Sequence, residues 1–247
     1  MVVGVSELWA RYRTKGNILP FVHDGDRPAA GSATEVDDLF WANEGPIVHK
    51  WHHYLPIYDR YLSPWRGRPV RMLEIGVSRG GSMQLWRKFL GPEAVLFGID
   101  LDPACAQFNG QSAQIRIGSQ DDAGFLQRVV EEMGGVDIVL DDGSHVSKHI
   151  RASLDTLFPL LSEGGVYLIE DLHACYWRNF GGGYGRPGSF LEVVKTMIDD
   201  MHHWYHNQGQ RIAATAGHLG AIHVYDSLVV LEKAAVRPPR HSRRGQI

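Results

Sequence analysis

The chain has 247 residues, room for one large domain or a domain with a modest extension at roughly 100–200 residues per domain. With 44% hydrophobic and 21% charged residues it can bury a sizeable core, which excludes wholesale disorder, and a net charge of −3 excludes a general electrostatic grip on nucleic acid. Two cysteines outside any CxxC pair, Cys105 and Cys175, exclude a disulfide framework and a thiolate zinc site.

In chain order, residues 1–45 mix turn formers (Gly25, Pro28, Gly31) with no sustained period, and are expected to form an N-terminal arm with short helices. Glu7, Arg11 and Arg13 interrupt any signal-peptide pattern early, and no apolar run approaches the roughly 18–20 residues that span a bilayer, so a soluble cytoplasmic protein is expected. In the stretch VHKWHHYLPIYDRYLSPW, residues Trp51, Tyr54, Leu55, Tyr58, Tyr61, Leu62 and Trp65 recur at helical spacing. That spacing predicts an amphipathic aromatic helix, its first turns disturbed by Pro56, within an N-terminal segment over 1–68.

From Val70 short apolar runs alternate with segments of helical period. The runs are 70–75, 94–100, 113–118, 136–140 and 165–170, and the segment before the last puts Ile150, Leu154, Leu157, Phe158 and Leu161 on one face. Such alternation predicts an α/β domain over 69–233, with a doubly wound sheet whose parallel strands are covered on both faces. A helix near 189–206 follows, then two runs, 221–226 and 227–233, which only a tight turn can join and which must therefore be antiparallel. The tail over 234–247 is basic, contains proline and is expected to be disordered.

Ligands of an open α/β sheet bind beyond the carboxyl ends of its strands. Here those ends carry Glu74 before the loop Gly76-Val77-Ser78-Arg79-Gly80-Gly81-Ser82, then Asp100, then Ser119-Gln120-Asp121, then Asp141-Asp142-Gly143-Ser144-His145, then Glu170-Asp171-Leu172-His173. Ser78 stands where a dinucleotide GxGxxG motif needs its second glycine, and Glu74 suits a cationic ligand better than a pyrophosphate. Asp100 is placed for ribose hydroxyls. The bland readings are a tight turn with incidental acids, helix caps at Asp141–Asp142 and solvated loop charges at Glu170–Asp171. His149 is read as structural, and the cluster His202, His203, His206 lacks an HExxH pattern.

LEIGVSRGGS followed by GIDLD resembles the first two motifs of class I S-adenosylmethionine methyltransferases, which have a Rossmann-like sheet. DDGSH (141–145), EDLH (170–173) and HKWHHY (49–54) resemble the narrower group of metal-dependent sugar O-methyltransferases of the mycinamicin and rhamnosyl type, over about residues 45–232. The resemblance implies that Glu74, Gly76 and Ser82 line the methionine end of S-adenosylmethionine, that Asp100 holds its ribose, and that Gln120 flanks the adenine, with Asp141 counted among the cofactor-binding residues. It further implies that Asp142, Glu170 and Asp171 bind Mg²⁺ and that His145 is the general base, with His52 and His53 as candidates to close over the cofactor. Ser119 departs from the pattern, since relatives often carry an acid there.

Neighbouring strand residues face opposite ways, so Glu170 and Asp171 can share a metal only if the chain is already turning there. Three carboxylates make a hard oxygen site suited to Mg²⁺, and an imidazole titrating near neutrality suits proton removal from a sugar hydroxyl. His173 and Tyr176, the latter in an aromatic, glycine-rich loop, are expected to meet the sugar or glycoside acceptor. A homo-oligomer, with neither nucleic acid nor a membrane as partner, completes the expectation. Catechol methylation, a Rossmann oxidoreductase and a non-catalytic scaffold remain the rival readings.

Overall fold

A computed structural model describes Arg27 and residues 34–246. Apart from those residues the N-terminal arm lies outside the described part, and of its expected short helices only α1 (Glu35–Trp41) falls within it. Thr34 starts α1 in a capping box: its hydroxyl accepts from the Asp37 N–H, while the Asp37 carboxylate takes the Thr34 N–H.

The aromatic helix is shorter than its spacing predicts. Residues 52–54 form a 3-10 turn and α2 runs Leu55–Leu62, with Pro56 in its first turn, where the missing N–H costs no helical bond. Lys50 and Trp51 precede the helix, and Trp51 has an extended backbone.

The remaining elements are β1 (Arg71–Ile75), α3 (Gly81–Leu90), β2 (Val95–Asp100), β3 (Gln114–Ile117), α4 (Ala123–Met133), β4 (Val136–Asp141), α5 (Ser147–Leu160), β5 (Leu161–Ile169), α6 (Phe190–Met201), β6 (Leu219–Tyr225) and β7 (Leu228–Lys233). The strand order is β3-β2-β1-β4-β5-β7-β6, parallel through β5, with β7 antiparallel to both β5 and β6. Asp226 and Ser227 make the expected tight turn, because Tyr225 already pairs with Leu228.

Strand alternation divides the buried side chains between two faces. Met72, Leu96, Ile138, Leu140 and Leu168 pack with α2 and α3, whereas Leu73, Phe97, Val139, Tyr167 and Ile169 pack with α4, α5 and α6. The order reverses between β1 and β4, so a cleft opens where their carboxyl ends diverge. At the far end of the sheet, the Lys233 ammonium donates to the carbonyls of Phe158, Pro159 and Leu161, satisfying groups that the end of α5 leaves without helical partners.

Among the described residues no helix is long and apolar enough to cross a membrane. The tail has no helix or strand and is mostly exposed, but its first residues are tied: Ala234 and Val236 donate to the carbonyls of His218 and Gly217. Residues 234–236 thus continue the hydrogen bonding of the hairpin.

Candidate active site

Strand parity decides which acids reach the cleft. Glu74 lies on the α2–α3 face, fully buried, and its Oε2 accepts from Ser82 Oγ at 2.9 Å and Trp86 Nε1 at 3.1 Å. Its other oxygen, Oε1, is buried without a hydrogen bond, and the nearest cation is the Lys50 ammonium at 3.8 Å. Burial pushes the Glu74 carboxyl up to about 7, against the pull of Lys50.

The loop after β1 is built by close approach. Gly76 has φ +98°, and a Cβ there would overlap the Asp142 carbonyl oxygen, so the loop after β1 and the acid pair after β4 are packed backbone to backbone. Asp100 accepts from the N–H groups of Val77 and Ser78 at 2.9 Å each, which fixes the loop against β2.

Asp141 does not face this cleft. As the last residue of β4 it shares the α4–α6 face with Ile75, and its carboxylate meets Ser153 Oγ at 2.6 Å and Gln120 Nε2 at 3.1 Å. Burial raises it to about 6, with Ser153, His145 and Gln120 opposing. Gln120 in turn accepts from the Ser144 N–H at 2.7 Å, so both ends of its amide are engaged. In this geometry Asp141 and Gln120 position the DDGSH turn.

Asp142, His145 and Asp171 come together. His145 Nε2 lies 3.8 Å from Asp142 Oδ1 and 3.6 Å from Asp171 Oδ2, and one potential ligand atom from each residue lies within 4.8 Å of the others. The turning condition on Glu170–Asp171 is met: β5 stops at Ile169 and Asp171 is left-handed, with φ +55°. Among the described residues four non-glycines have positive φ: Ser78, His145, Asp171 and Ser227. The first three lie in the loops after β1, β4 and β5, and Ser227 touches the site through His173 and Tyr54. Such backbone costs roughly 1–3 kcal/mol per residue and concentrates at functional sites.

Glu170 lies outside this trio. It accepts from Tyr58 Oη at 2.6 Å and from Lys50 Nζ at 2.9 Å, while the same ammonium reaches Asp142 Oδ2 at 2.5 Å. Burial and the neighbouring Asp142 push Glu170 well above the usual carboxylate range, with Lys50 pulling the other way. For Lys50, burial works to lower the pKa, but Asp142, Glu170 and Glu74 together raise it above the ordinary lysine value. Asp171 Oδ1 accepts from Tyr54 Oη at 3.0 Å and Trp51 Nε1 at 3.1 Å. Burial and the nearby carboxyls raise both tyrosines, which therefore stay neutral donors.

These contacts show what residue-by-residue reading of the sequence missed. The segment 50–58 supplies Lys50, Trp51, Tyr54 and Tyr58, a row of donors to the carboxyls after β4 and β5. Of the two candidates for closing over a cofactor, the His52 ring meets Trp41, while the His53 ring meets the Asp226 carbonyl and stands against Tyr54 and Trp51.

His173 bonds Ser227 Oγ through Nδ1, stands edge-on to Trp51 and Trp177, and has its pKa lowered by burial. Its Nδ1 lies 4.0 Å from Asp171 Oδ1, which places it at the rim of the cluster. Tyr176 is 53% exposed and stacks on Tyr184, itself 93% exposed, leaving aromatic surface open to solvent. His149 joins Ser144 Oγ at 2.9 Å to Asp121 at 3.4 Å, and His202, His203 and His206 bond backbone carbonyls around the end of α6.

Residues 73–172 match a family described as a methyltransferase domain. The 8-demethyl-8-(2-methoxy-alpha-L-rhamnosyl)-tetracenomycin-C 3'-O-methyltransferase of Streptomyces olivaceus is 39% identical over 197 residues, 74% of this chain and 50% of that protein. The mycinamicin VI 2''-O-methyltransferase of Micromonospora griseorubida is 34% identical over 221 residues, 83% of this chain and 54% of that one. Among solved structures, the MycE methyltransferase of the mycinamycin pathway in complex with Mg, SAH and mycinamycin VI superposes with a TM-score of 0.72 at 32% identity, covering 83% of this chain and 54% of that chain. The chain thus spans about half the length of the curated relatives it matches.

Proposed function

We propose that this chain, whose residues 73–172 match a methyltransferase domain and which is similar to sugar O-methyltransferases, transfers a methyl group from S-adenosylmethionine to a sugar hydroxyl of a glycosylated acceptor, with a divalent ion. The observation that carries the reading is a pair of adjoining subsites. One is the buried Glu74 oxygen without a hydrogen bond beside the glycine loop, and the other is the Asp142–His145–Asp171 cluster. A sulfonium donor is cationic, and a buried carboxyl with an oxygen that makes no hydrogen bond fits the methionine end of such a ligand. Carboxylate oxygens fit a hard divalent ion such as Mg²⁺, and the His145 imidazole stands beside them, placed to take a proton.

Methyl transfer forms an oxygen–carbon bond to the acceptor as the carbon–sulfur bond of the donor breaks, and the hydroxyl proton has to leave. In this reading His145 takes that proton at Nε2 and the flanking carboxylates Asp142 and Asp171 stabilise the imidazolium that results. Asp142, Glu170 and Asp171 would hold the ion, which when bound supplies Lewis-acid polarisation of the acceptor hydroxyl. Glu74, Gly76 and Ser82 bind the donor's methionine end and Asp100 its ribose, while Gln120 and Asp141 act one step back by fixing the turn that carries His145. Tyr176 offers a flat face on which a sugar stacks, and His173 meets the acceptor from the rim of the cluster. A homo-oligomer belongs to the same reading, and sedimentation distinguishes it from a 27.7 kDa monomer.

The test is methyl transfer from isotopically labelled S-adenosylmethionine to a panel of rhamnosyl and other deoxysugar glycosides, with Mg²⁺ and with a chelator. Label should enter a sugar O-methyl group only when metal is present. Label in a catechol but in no sugar would reassign the acceptor.

A further inference from the structure

The least expected group in the cleft is the Lys50 ammonium. Its side chain is 3% exposed, and it reaches Asp142 Oδ2 at 2.5 Å, Glu170 at 2.9 and 3.1 Å and Glu74 Oε1 at 3.8 Å. It therefore stands between the donor subsite at the end of β1 and the acid cluster after β4 and β5. Its place is over-determined: the Tyr58 ring centroid is 5.7 Å away, and Tyr58 Oη holds the Glu170 carboxyl that Lys50 also binds.

Asp142 is divided between two neighbours. Oδ2 faces Lys50, while Oδ1 faces His145. A divalent ion held by Asp142, Glu170 and Asp171 would thus sit beside a fixed positive charge that already draws on two of those three carboxyls. Oxygen-ligand sites tune divalent affinity largely through ligand charge count, and like charges repel strongly where water is excluded.

We propose that Lys50 sets the divalent-ion affinity of this site, acting as an internal counter-charge that claims Glu170 and half of Asp142 and so keeps the ion weakly held and exchangeable. The inference rests on the metal reading above. Lys50 is here a positioning residue, acting through Asp142 and Glu170 rather than touching the reacting atoms. Two roles for it differ in sign. A lysine that merely props up its carboxyls would, once neutralised, leave a poorer metal site. A counter-charge, once removed, leaves a tighter one.

The experiment is calorimetric titration of Mn²⁺ into the metal-stripped full chain, comparing wild type with Lys50→Met and Lys50→Arg. Lys50→Met should bind Mn²⁺ at least tenfold more tightly, and Lys50→Arg, which keeps the charge, should stay within about threefold of wild type. Unchanged or weaker binding by Lys50→Met overturns the proposal while leaving the metal reading intact, as does equal tightening by Lys50→Arg. Absence of uptake by every protein overturns the metal reading and the proposal together. Should Lys50→Met fail to fold, the Lys50 ε-carbon signal of ¹³C-lysine-labelled wild type, assigned with Lys50→Arg, decides: it should move with Mg²⁺ saturation, and a stationary signal overturns the proposal.

Discussion

Glu74→Gln should make the protein more stable while impairing donor binding. The Glu74 carboxyl is fully buried, and burial raises it from an ordinary 4.5 to about 7. A raised carboxyl favours folding in its protonated form, so this stability is present below about pH 4.5 and is lost as pH rises through about 7. At about 1.4 kcal/mol per tenfold change in proton affinity, the loss reaches about 3 kcal/mol by pH 8 and is only about 1 kcal/mol at pH 5.

Glutamine mimics the protonated state and can keep the bonds from Ser82 and Trp86 through its amide oxygen. Thermal unfolding in the presence of a chelator should then show a variant advantage of about 6–12 °C at pH 8, at roughly 2–4 °C per kcal/mol, shrinking to a few degrees at pH 5. Affinity for S-adenosylmethionine should fall at pH 8, where the ionised Glu74 faces the cation, and should differ far less at pH 5, where the wild-type carboxyl is already protonated. A variant less stable than wild type at pH 8, or an advantage that does not change with pH, refutes the reasoning. The prediction places Glu74 among residues that serve ligand binding at the expense of the empty fold.

Three other substitutions probe separate links. His145→Ala should lower turnover by about 10²–10⁴-fold, with S-adenosylmethionine affinity retained in calorimetry. Gly76→Ala puts a side chain at φ +98° against the Asp142 carbonyl and should cost about 3 kcal/mol in urea unfolding, together with weaker donor binding. Lys233→Met leaves three carbonyls at the end of α5 without their donor and should cost about 2 kcal/mol in the same assay, with donor affinity unchanged.

Much of this architecture was legible in the sequence, because buried parallel strands read as apolar runs and the helices between them as amphipathic segments. The turn at Asp226–Ser227 followed from chain length alone. Which acid faces which way was harder. Asp141 and Asp142 are adjacent in sequence, yet Asp141 serves Gln120 and Ser153 on one face while Asp142 meets Lys50 in the cleft. Counting strand parity from Glu74 through the β1–β4 register separates them, but that register is a tertiary fact. Lys50 was harder still. Its partners lie 92 and 120 residues away, and no local pattern shows a lysine entering an acid cluster. The aromatic spacing of 51–65 suggested a core helix, which hid the hydroxyls of Tyr54 and Tyr58 as donors to Asp171 and Glu170.

The central claim is a methyl-donor site adjoining a divalent-ion site, and it is met most directly by titrating S-adenosylmethionine into the metal-stripped protein, then Mg²⁺ into the donor complex. The same two titrations are repeated with an Asp142→Ala, Glu170→Ala double variant. The account predicts donor binding in every case and Mg²⁺ uptake by the wild type alone. Failure of the wild type to bind the donor under any condition would contradict it.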